Sequence, residues 1–225
     1  KLPNAFGIGR QALLDEVKFE NGWATINGNK GAAESAVTPF RNTFQQSIFS
    51  NASDSFNSNI LSPQWSKPFF DYCLSNLNGG LLFITPTNAT NNKSSESVVA
   101  QRSLSNEFSA SAQINFRQIR DENSLGISIY SWRDNAIGIS VGKGEVFVWQ
   151  RENGKENKLA SSELPKGRKN ITLRIDSSQT GFSFSYKFDE GNWQFVKNKV
   201  KNERLEGGRI ALIEKGKSNN SKAGF

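Results

Sequence analysis

The chain has 225 residues, a formal net charge of +7, a single cysteine (Cys73) and no histidine. The lack of histidine excludes a Ser-His-Asp triad and a histidine-bound zinc, and one cysteine excludes an internal disulfide framework. No apolar run approaches the roughly 18 residues of a membrane-spanning helix, so no membrane partner is expected. Basic residues stand mostly singly among acidic ones, as in "WQRENGKENKLASSELPKGRKN" (149–170), without a nucleic-acid-binding motif. Nucleic acid is therefore not expected as a partner.

The first residues predict short strands before any core has begun. Strand-like runs at Gln11–Leu14 and Val17–Phe19 precede a turn at Asn21-Gly22. The segment 28–50 is irregular around Pro39 and is predicted to be a linker that packs rather than moves freely. Because the chain begins without methionine or a secretory signal, its N-terminus is expected to come from processing, from cleavage of a longer parent or from the choice of expressed segment.

From residue 51 onward the hydrophobic period is mostly two. The runs "EFSASAQINF" (107–116) and "GFSFSYKF" (181–188) alternate apolar and polar residues, and similar short runs follow at spacings near ten residues. Gly142-Lys143-Gly144 and Asp189-Glu190-Gly191 are typical of hairpin turns. Short strands at this spacing without a convincing helix predict an all-β sandwich or barrel.

Asn-x-Ser/Thr sequons suggest an extracellular protein. Most of them lie in polar, loop-like stretches such as "TNATNNKSS", where a secreted eukaryotic protein would carry glycans. We therefore predict a secreted glycoprotein. The candidate acceptors are Asn51, Asn88, Asn92, Asn170 and Asn219.

The ordered motifs of the second part resemble the C-terminal β-sandwich of glycoside hydrolase family 43, which includes β-xylosidases and α-L-arabinofuranosidases. They are "SDSFNSNILSPQWSKPF" (53–69), "GGLLFIT" (79–85), "VVAQRSLSNEFSASAQINF" (98–116), "NSLGISIYSWRDNAIGISV" (123–141), "DEGNWQFV" (189–196) and "GGRIALIE" (207–214). The tail "SKAGF" resembles the start of the closing strand. The resemblance implies an antiparallel sandwich of the concanavalin A-like or jelly-roll type.

The opening stretch "GRQALLDEVKFENGWATING" (9–28) is similar to the end of the catalytic β-propeller in the same family. The resemblance thus implies a propeller remnant at 1–27, a linker at 28–50 and a sandwich at 51–225. The family's catalytic carboxylates lie on earlier blades, so no catalytic residue is assigned and catalysis by this chain alone stays open. Without those blades, residues 9–27 are expected to bind a propeller-containing chain or to self-associate.

The resemblance leaves two functions open. One is a non-catalytic sandwich that supports the propeller of an enzyme acting on xylan- or arabinan-type polysaccharides. The other is a stand-alone lectin-like or extracellular structural protein. Carbohydrate is the expected ligand. The candidate sugar-binding residues are Tyr130, Trp132, Arg133, Trp149 and Arg102. Core packing is the favoured interpretation for Trp132 and Trp149, and Arg102 equally fits an ordinary surface position.

No cofactor is expected, although calcium is common in sandwiches of this general kind. Asp54 is the candidate ligand, since calcium takes oxygen ligands. Cys73 is predicted to be a small buried residue rather than a nucleophile, because no histidine is available to activate it.

Overall fold

The computed structural model describes residues 15–30, 52–68, 73–86, 95–103, 105–115, 119, 123–132, 134–165, 167–168, 170–201, 205, 207–216 and 223–225. These residues form fifteen strands. The strands are β1 (Val17–Glu20), β2 (Trp23–Ile26), β3 (Cys73–Asn78), β4 (Leu81–Pro86), β5 (Ser95–Arg102), β6 (Phe108–Asn115), β7 (Ser124–Trp132), β8 (Asn135–Gly142), β9 (Glu145–Glu152), β10 (Lys155–Glu163), β11 (Asn170–Ser178), β12 (Gly181–Lys187), β13 (Gln194–Val200), β14 (Arg209–Gly216) and β15 (Ala223–Gly224).

The described residues divide into two compact units, one within Arg10–Ala52 and the other within Ser53–Phe225. In the first unit β1 and β2 form an antiparallel hairpin, with Val17 opposite Ile26 and Phe19 opposite Ala24. Its turn has positive φ at Asn21 and Gly22, as the Asn-Gly pair predicts. The predicted strand at 11–14 and most of the predicted linker lie outside the described residues.

The second unit is built from two antiparallel sheets. The six-stranded sheet has the order β10-β9-β8-β7-β14-β5, and the seven-stranded sheet has the order β13-β12-β11-β6-β15-β4-β3. The short β15 pairs with β4 and β6, as expected of a closing strand. Within the described ranges the helical content is one short 3-10 turn, Asn27–Asn29, and no helix is long and apolar enough to cross a membrane. The predicted all-β sandwich is confirmed.

The alternating sequence pattern creates the core between the two sheets. On β12 the buried Phe182, Phe184 and Tyr186 face the core, while the intervening residues face away. Lys143 and Gly144 form the β8–β9 turn with positive φ, as predicted. The all-β prediction holds because period-two alternation matches strands with one face buried against a second sheet.

The six-stranded sheet differs from its partner because its outer face is also largely buried. Aliphatic residues of β7 and β8, such as Ile127 and Ile139, point to the core. The alternate positions on the outer face are small, including Gly126, Ser128 and Gly138. A second buried cluster covers this face, formed by Val98, Ala100, Tyr130, Ala136, Trp149, Ala211 and Ile213. This outer face positions the candidate site.

Candidate functional site on the outer face of the six-stranded sheet

Three of the predicted sugar-binding residues lie on the outer face. Arg102 on β5 is the cross-strand partner of Arg209 on β14, and Arg209 is in turn the partner of Tyr130 on β7. Trp149 on β9 lies opposite Gly138 on β8. The sandwich therefore brings together residues that are 47 positions apart in sequence at the extremes, from Arg102 to Trp149.

Trp149 is held rigidly in this face. Its side chain is 1% exposed, and its indole N–H donates a hydrogen bond of 2.9 Å to Ser140 Oγ. A Cβ atom at Gly138 would lie 2.7 Å from Cζ2 of the indole, so glycine at this position leaves the space that the ring occupies. In this conformation Trp149 packs as a core residue, and a sugar contact by its ring stays a prediction.

An ionic network crosses the outer face above Trp149. Its members are Glu96 on β5, Arg151 on β9, Glu156 on β10 and Lys215 on β14. Arg151 donates two hydrogen bonds to Glu96, at 2.7 and 2.9 Å, and two to Glu156, at 2.7 and 3.2 Å. Lys215 Nζ lies 2.6 Å from Glu156 Oε2 and 3.0 Å from the centroid of the Trp149 ring.

The network shows that the outer face is concave. In a flat sheet the strands β5 and β9 would be about 19 Å apart, because neighbouring strands are spaced by about 4.8 Å. The side chains of Arg151 and Glu96 cannot bridge that distance unless the sheet curves toward them. The direct contact between them therefore ties opposite sides of the sheet together.

Electrostatics favour the charged states of Arg151 and Glu156, whereas burial lowers the pKa of Lys215 to about 8. Burial disfavours the charge of Arg151, but the carboxylates of Glu96 and Glu156 outweigh burial and raise the pKa of the guanidinium above its ordinary value. Burial likewise opposes ionisation of Glu156, yet the cations of Lys215 and Arg151 hold the pKa of Glu156 below its ordinary value. Two cations thus balance two anions over a buried indole.

Of the two remaining predicted residues, the structure describes Trp132. Trp132 ends β7 next to a register shift between Tyr130 and Trp132, and it is 55% exposed. Tyr130 is almost fully buried on the outer face. Arg133 lies outside the described residues. Among the described aromatic residues of this set, the exposed Trp132 is the one that a sugar ring can reach without rearrangement.

Sequence reasoning missed the ionic network and Arg209. Strand alternation places Glu145, Phe147, Trp149 and Arg151 on one face of β9, and the sequence alone is enough to predict this. However, Glu96 is 55 residues from Arg151 in sequence, and nothing local indicates that they meet. Their contact follows from strand order and sheet curvature.

Asp54 is occupied by local structural contacts. Its Oδ1 accepts a hydrogen bond from the backbone N–H of Phe56 at 2.8 Å, and its Oδ2 accepts one from Trp65 Nε1 at 2.9 Å. Within the described part of the chain no cluster of three or more His, Cys, Asp or Glu could hold a metal ion. Calcium binding at Asp54 stays a prediction that the structure does not test.

Two buried titratable groups lie near each other at the sheet interface. Burial raises the pKa of the Cys73 thiol to about 11, with a smaller opposing effect of Lys67, so the thiol is protonated and unreactive at neutral pH.

Burial also raises the pKa of Glu214 to about 8, although a hydrogen bond from Asn123 Nδ2 to Glu214 Oε1, at 3.0 Å, opposes this. A Cβ at Gly216 would lie 2.1 Å from Asn123 Oδ1, so glycine makes room for Asn123.

Comparison with known families assigns the sandwich. Residues 53–209 match the family model described as beta xylosidase C-terminal Concanavalin A-like domain, GH43_C2. The chain belongs to this family. The match covers the sandwich from its first residues to the beginning of β14, and it confirms both the concanavalin A-like fold and the resemblance to glycoside hydrolase family 43.

Individual relatives agree with this assignment. A protein of Escherichia coli (strain K12) named "Putative beta-xylosidase" is 23% identical over 201 residues, which are 84% of this chain and 38% of that protein. The crystal structure of xylan beta-1,4-xylosidase from Bacillus halodurans C-125 has a TM-score of 0.70 at 17% identity, covering 100% of this chain and 47% of the other. The GH43 protein BlXynB from Bacillus licheniformis has a TM-score of 0.69 at 17% identity, covering 96% of this chain and 45% of the other. This family 43 domain therefore spans less than half the length of these relatives.

Proposed function

We propose that this domain is the non-catalytic β-sandwich of a glycosidase acting on xylan- or arabinan-type polysaccharides. In that role it supports a catalytic propeller and takes part in sugar binding. The observation that carries the proposal is the family match over residues 53–209, together with relatives whose chains are more than twice as long. The comparisons give no support to a stand-alone lectin. The substrates and activity of the whole enzyme are part of the proposal.

The hairpin of the first unit supports the idea of a docking partner. Its apolar face consists of Val17, Phe19, Ala24 and Ile26, and three of these are large side chains that are at least half exposed. A two-stranded hairpin is marginally stable by itself and needs packing on another element. A propeller-containing chain or a second copy of this chain would cover that face.

Replacing Phe19, which is 78% exposed, tests this docking. The parent chain is expected to show a mass above 25.0 kDa that rises with concentration in light scattering, or to bind a propeller-containing chain. Phe19→Ser should weaken that association at least tenfold, because it removes the largest apolar side chain of the face. The matched control is Phe195→Ser on β13, which changes a 63% exposed ring on the second unit and should leave association unchanged. A strictly monomeric parent without a partner would contradict the docking proposal.

Trp132 provides the test of sugar binding. Titration calorimetry with xylo- and arabino-oligosaccharides is expected to detect binding, and Trp132→Ala should weaken it about tenfold by removing a stacking surface. Phe195→Ala again serves as the control, since it removes an exposed ring outside the outer face. Equal binding by Trp132→Ala and the parent would exclude Trp132 from the site, and absence of binding to either sugar class would refute the sugar-binding part of the proposal.

We further propose that the protein is secreted and glycosylated. Support comes from the sequons of the sequence. Asn170 lies among the described residues, where it begins β11 and is half-buried opposite Asn115. Asn51, Asn88, Asn92 and Asn219 lie outside the described residues. Intact-mass measurement before and after enzymatic removal of N-glycans, on protein isolated from its source, tests this proposal.

A further inference from the structure

Two arginines lie side by side on the outer face, without an acidic partner among the residues that the structure describes. Arg102 and Arg209 are directly opposite each other on β5 and β14. Side chains in such a position are close neighbours, and like charges there are destabilising. Arg209 donates a hydrogen bond of 3.0 Å to the neutral hydroxyl of Ser66, and Arg102 is exposed. Among the residues that the structure describes, neither guanidinium contacts a carboxylate.

Arg151, on the same face, is an arginine whose positive charge is neutralised by carboxylates of this protein. Its guanidinium is engaged by the carboxylates of both Glu96 and Glu156, at 2.7 Å each. The pair Arg102 and Arg209 therefore differs from Arg151 in having positive charge that nothing in the described part of the chain neutralises. A guanidinium presents a planar fork of donors that matches a carboxylate, and two adjacent forks suit an external carboxylate group.

The surroundings of the arginine pair favour a sugar as the carrier of that carboxylate. Tyr130 is the next residue in the same cross-strand row, and the exposed Trp132 ends β7 just beyond the register shift that follows Tyr130. An indole at this place can stack on a sugar ring while a neighbouring ring presents its carboxylate to the arginines. The formal net charge of +7 also attracts an anionic polysaccharide over long range.

We infer that Arg102 and Arg209 form a binding site for the carboxylate of a hexuronate unit in the polysaccharide. This inference rests on the proposed sugar-binding function and names the substrate class: an acidic, uronate-substituted chain is bound in preference to a neutral one. The arginines recognise the carboxylate, and Trp132 contributes the stacking surface that acidic and neutral sugars share.

Matched probes separate this inference from the proposed function. The probes are a xylo-oligosaccharide bearing one glucuronic acid unit and the same oligosaccharide with its carboxyl group chemically reduced to an alcohol. At low salt the acidic probe should bind at least tenfold more tightly, because two charge-assisted interactions are lost on reduction. The preference should shrink in sodium chloride at about 0.5 M. At this concentration the Debye length is only a few Å, so exposed charges are screened.

Arg102→Gln is the decisive variant, because Arg102 is exposed and its loss leaves no described hydrogen bond broken. It should remove most of the preference for the acidic probe over the reduced probe, with Arg209→Gln acting in the same direction. Arg168→Gln removes one positive charge outside the six-stranded sheet and should retain the full preference. The thermal midpoint of each variant checks that it is folded.

The binding results distinguish failure of the uronate site from failure of sugar binding as a whole. Equal affinity of the parent for the two probes would overturn the uronate site while leaving sugar binding intact, and would point to a protein carboxylate as the partner of the arginine pair. A preference that survives in both arginine variants would also overturn it. Absence of binding to both probes would refute the proposed sugar binding and with it this inference.

Discussion

Replacing Arg151 with methionine is expected to lower the free energy of unfolding by about 3 kcal/mol, because it breaks a buried ion pair and leaves a carboxylate without its cation. The Arg151 and Glu96 side chains are both largely buried, and Arg151 donates a hydrogen bond to each of the two Glu96 carboxylate oxygens. Glu156 keeps Lys215 as a partner in the variant, so the main cost falls on Glu96. Chemical denaturation followed by circular dichroism measures the change.

The seven-stranded sheet offers a control for the Arg151 variant. Arg174 pairs with Asp176 at 2.7 Å, the same distance, but both side chains are about one-third exposed. Arg174→Met should therefore cost less than about 1 kcal/mol. The double variant Arg151→Met with Glu96→Gln should recover part of the lost stability, since it removes the uncompensated charge. If Arg151→Met lowers the free energy of unfolding no more than Arg174→Met does, the network does not stabilise the curved sheet.

The network also governs access to Trp149. Lys215 lies over one face of the indole, and Arg151 approaches the same ring with its Cζ 5.5 Å from the centroid. A sugar could stack on this ring after these cations move away. Trp132, by contrast, is exposed in the structure as it stands, and this is why the sugar-binding test uses Trp132.

Replacing Glu214 with glutamine is expected to flatten the dependence of stability on pH. In the folded protein burial raises the pKa of Glu214 to about 8, whereas its ordinary value is 4.5. The folded state then holds a proton that the unfolded state releases as pH rises above 4.5. The contribution of Glu214 to stability is therefore complete below pH 4.5 and is lost progressively up to pH 8, by an amount on the order of 4 kcal/mol.

Glu214→Gln carries no titrating proton and preserves an oxygen that can accept from Asn123. Its free energy of unfolding should match the parent near pH 4.5 and exceed that of the parent by a few kcal/mol at pH 8. The measurement is a series of urea denaturation curves between these pH values. Glu163→Gln, at the exposed end of β10, makes the same charge change without removing a buried carboxyl group. A parent and Glu214→Gln with parallel pH profiles would show that Glu214 is ionised in the folded state.

Much of the fold could be predicted from local pattern. The alternation in "GFSFSYKF" gives β12 and its buried face, and the glycine-flanked Lys143 gives the turn between β8 and β9. These features depend on neighbouring residues along the chain, because strand alternation and turn conformation are local properties. The family resemblance added the two-sheet architecture, which periodicity alone leaves open between a sandwich and a barrel.

The candidate site was predicted less completely. Sequence analysis selected Arg102, Tyr130 and Trp149, which do lie on one sheet face, but it did not identify Arg209 beside Arg102. The pairing of β5 with β14 joins segments more than 100 residues apart, and no local signal specifies it. An exposed aromatic residue could occur in the same local strand pattern as Trp149, so the burial of Trp149 could not be inferred from the sequence.

The sequence by itself determined the strands, the turns and the absence of histidine chemistry, since these follow from residue type and from contacts between near neighbours. Tertiary structure alone decided which strands are adjacent and how far the six-stranded sheet curves. That curvature brings Glu96 to Arg151 and covers Trp149, and strand adjacency leaves Arg102 and Arg209 together without an acid among the described residues. The physical reason is that charge pairing and burial depend on distances in space, which strand order and sheet curvature set.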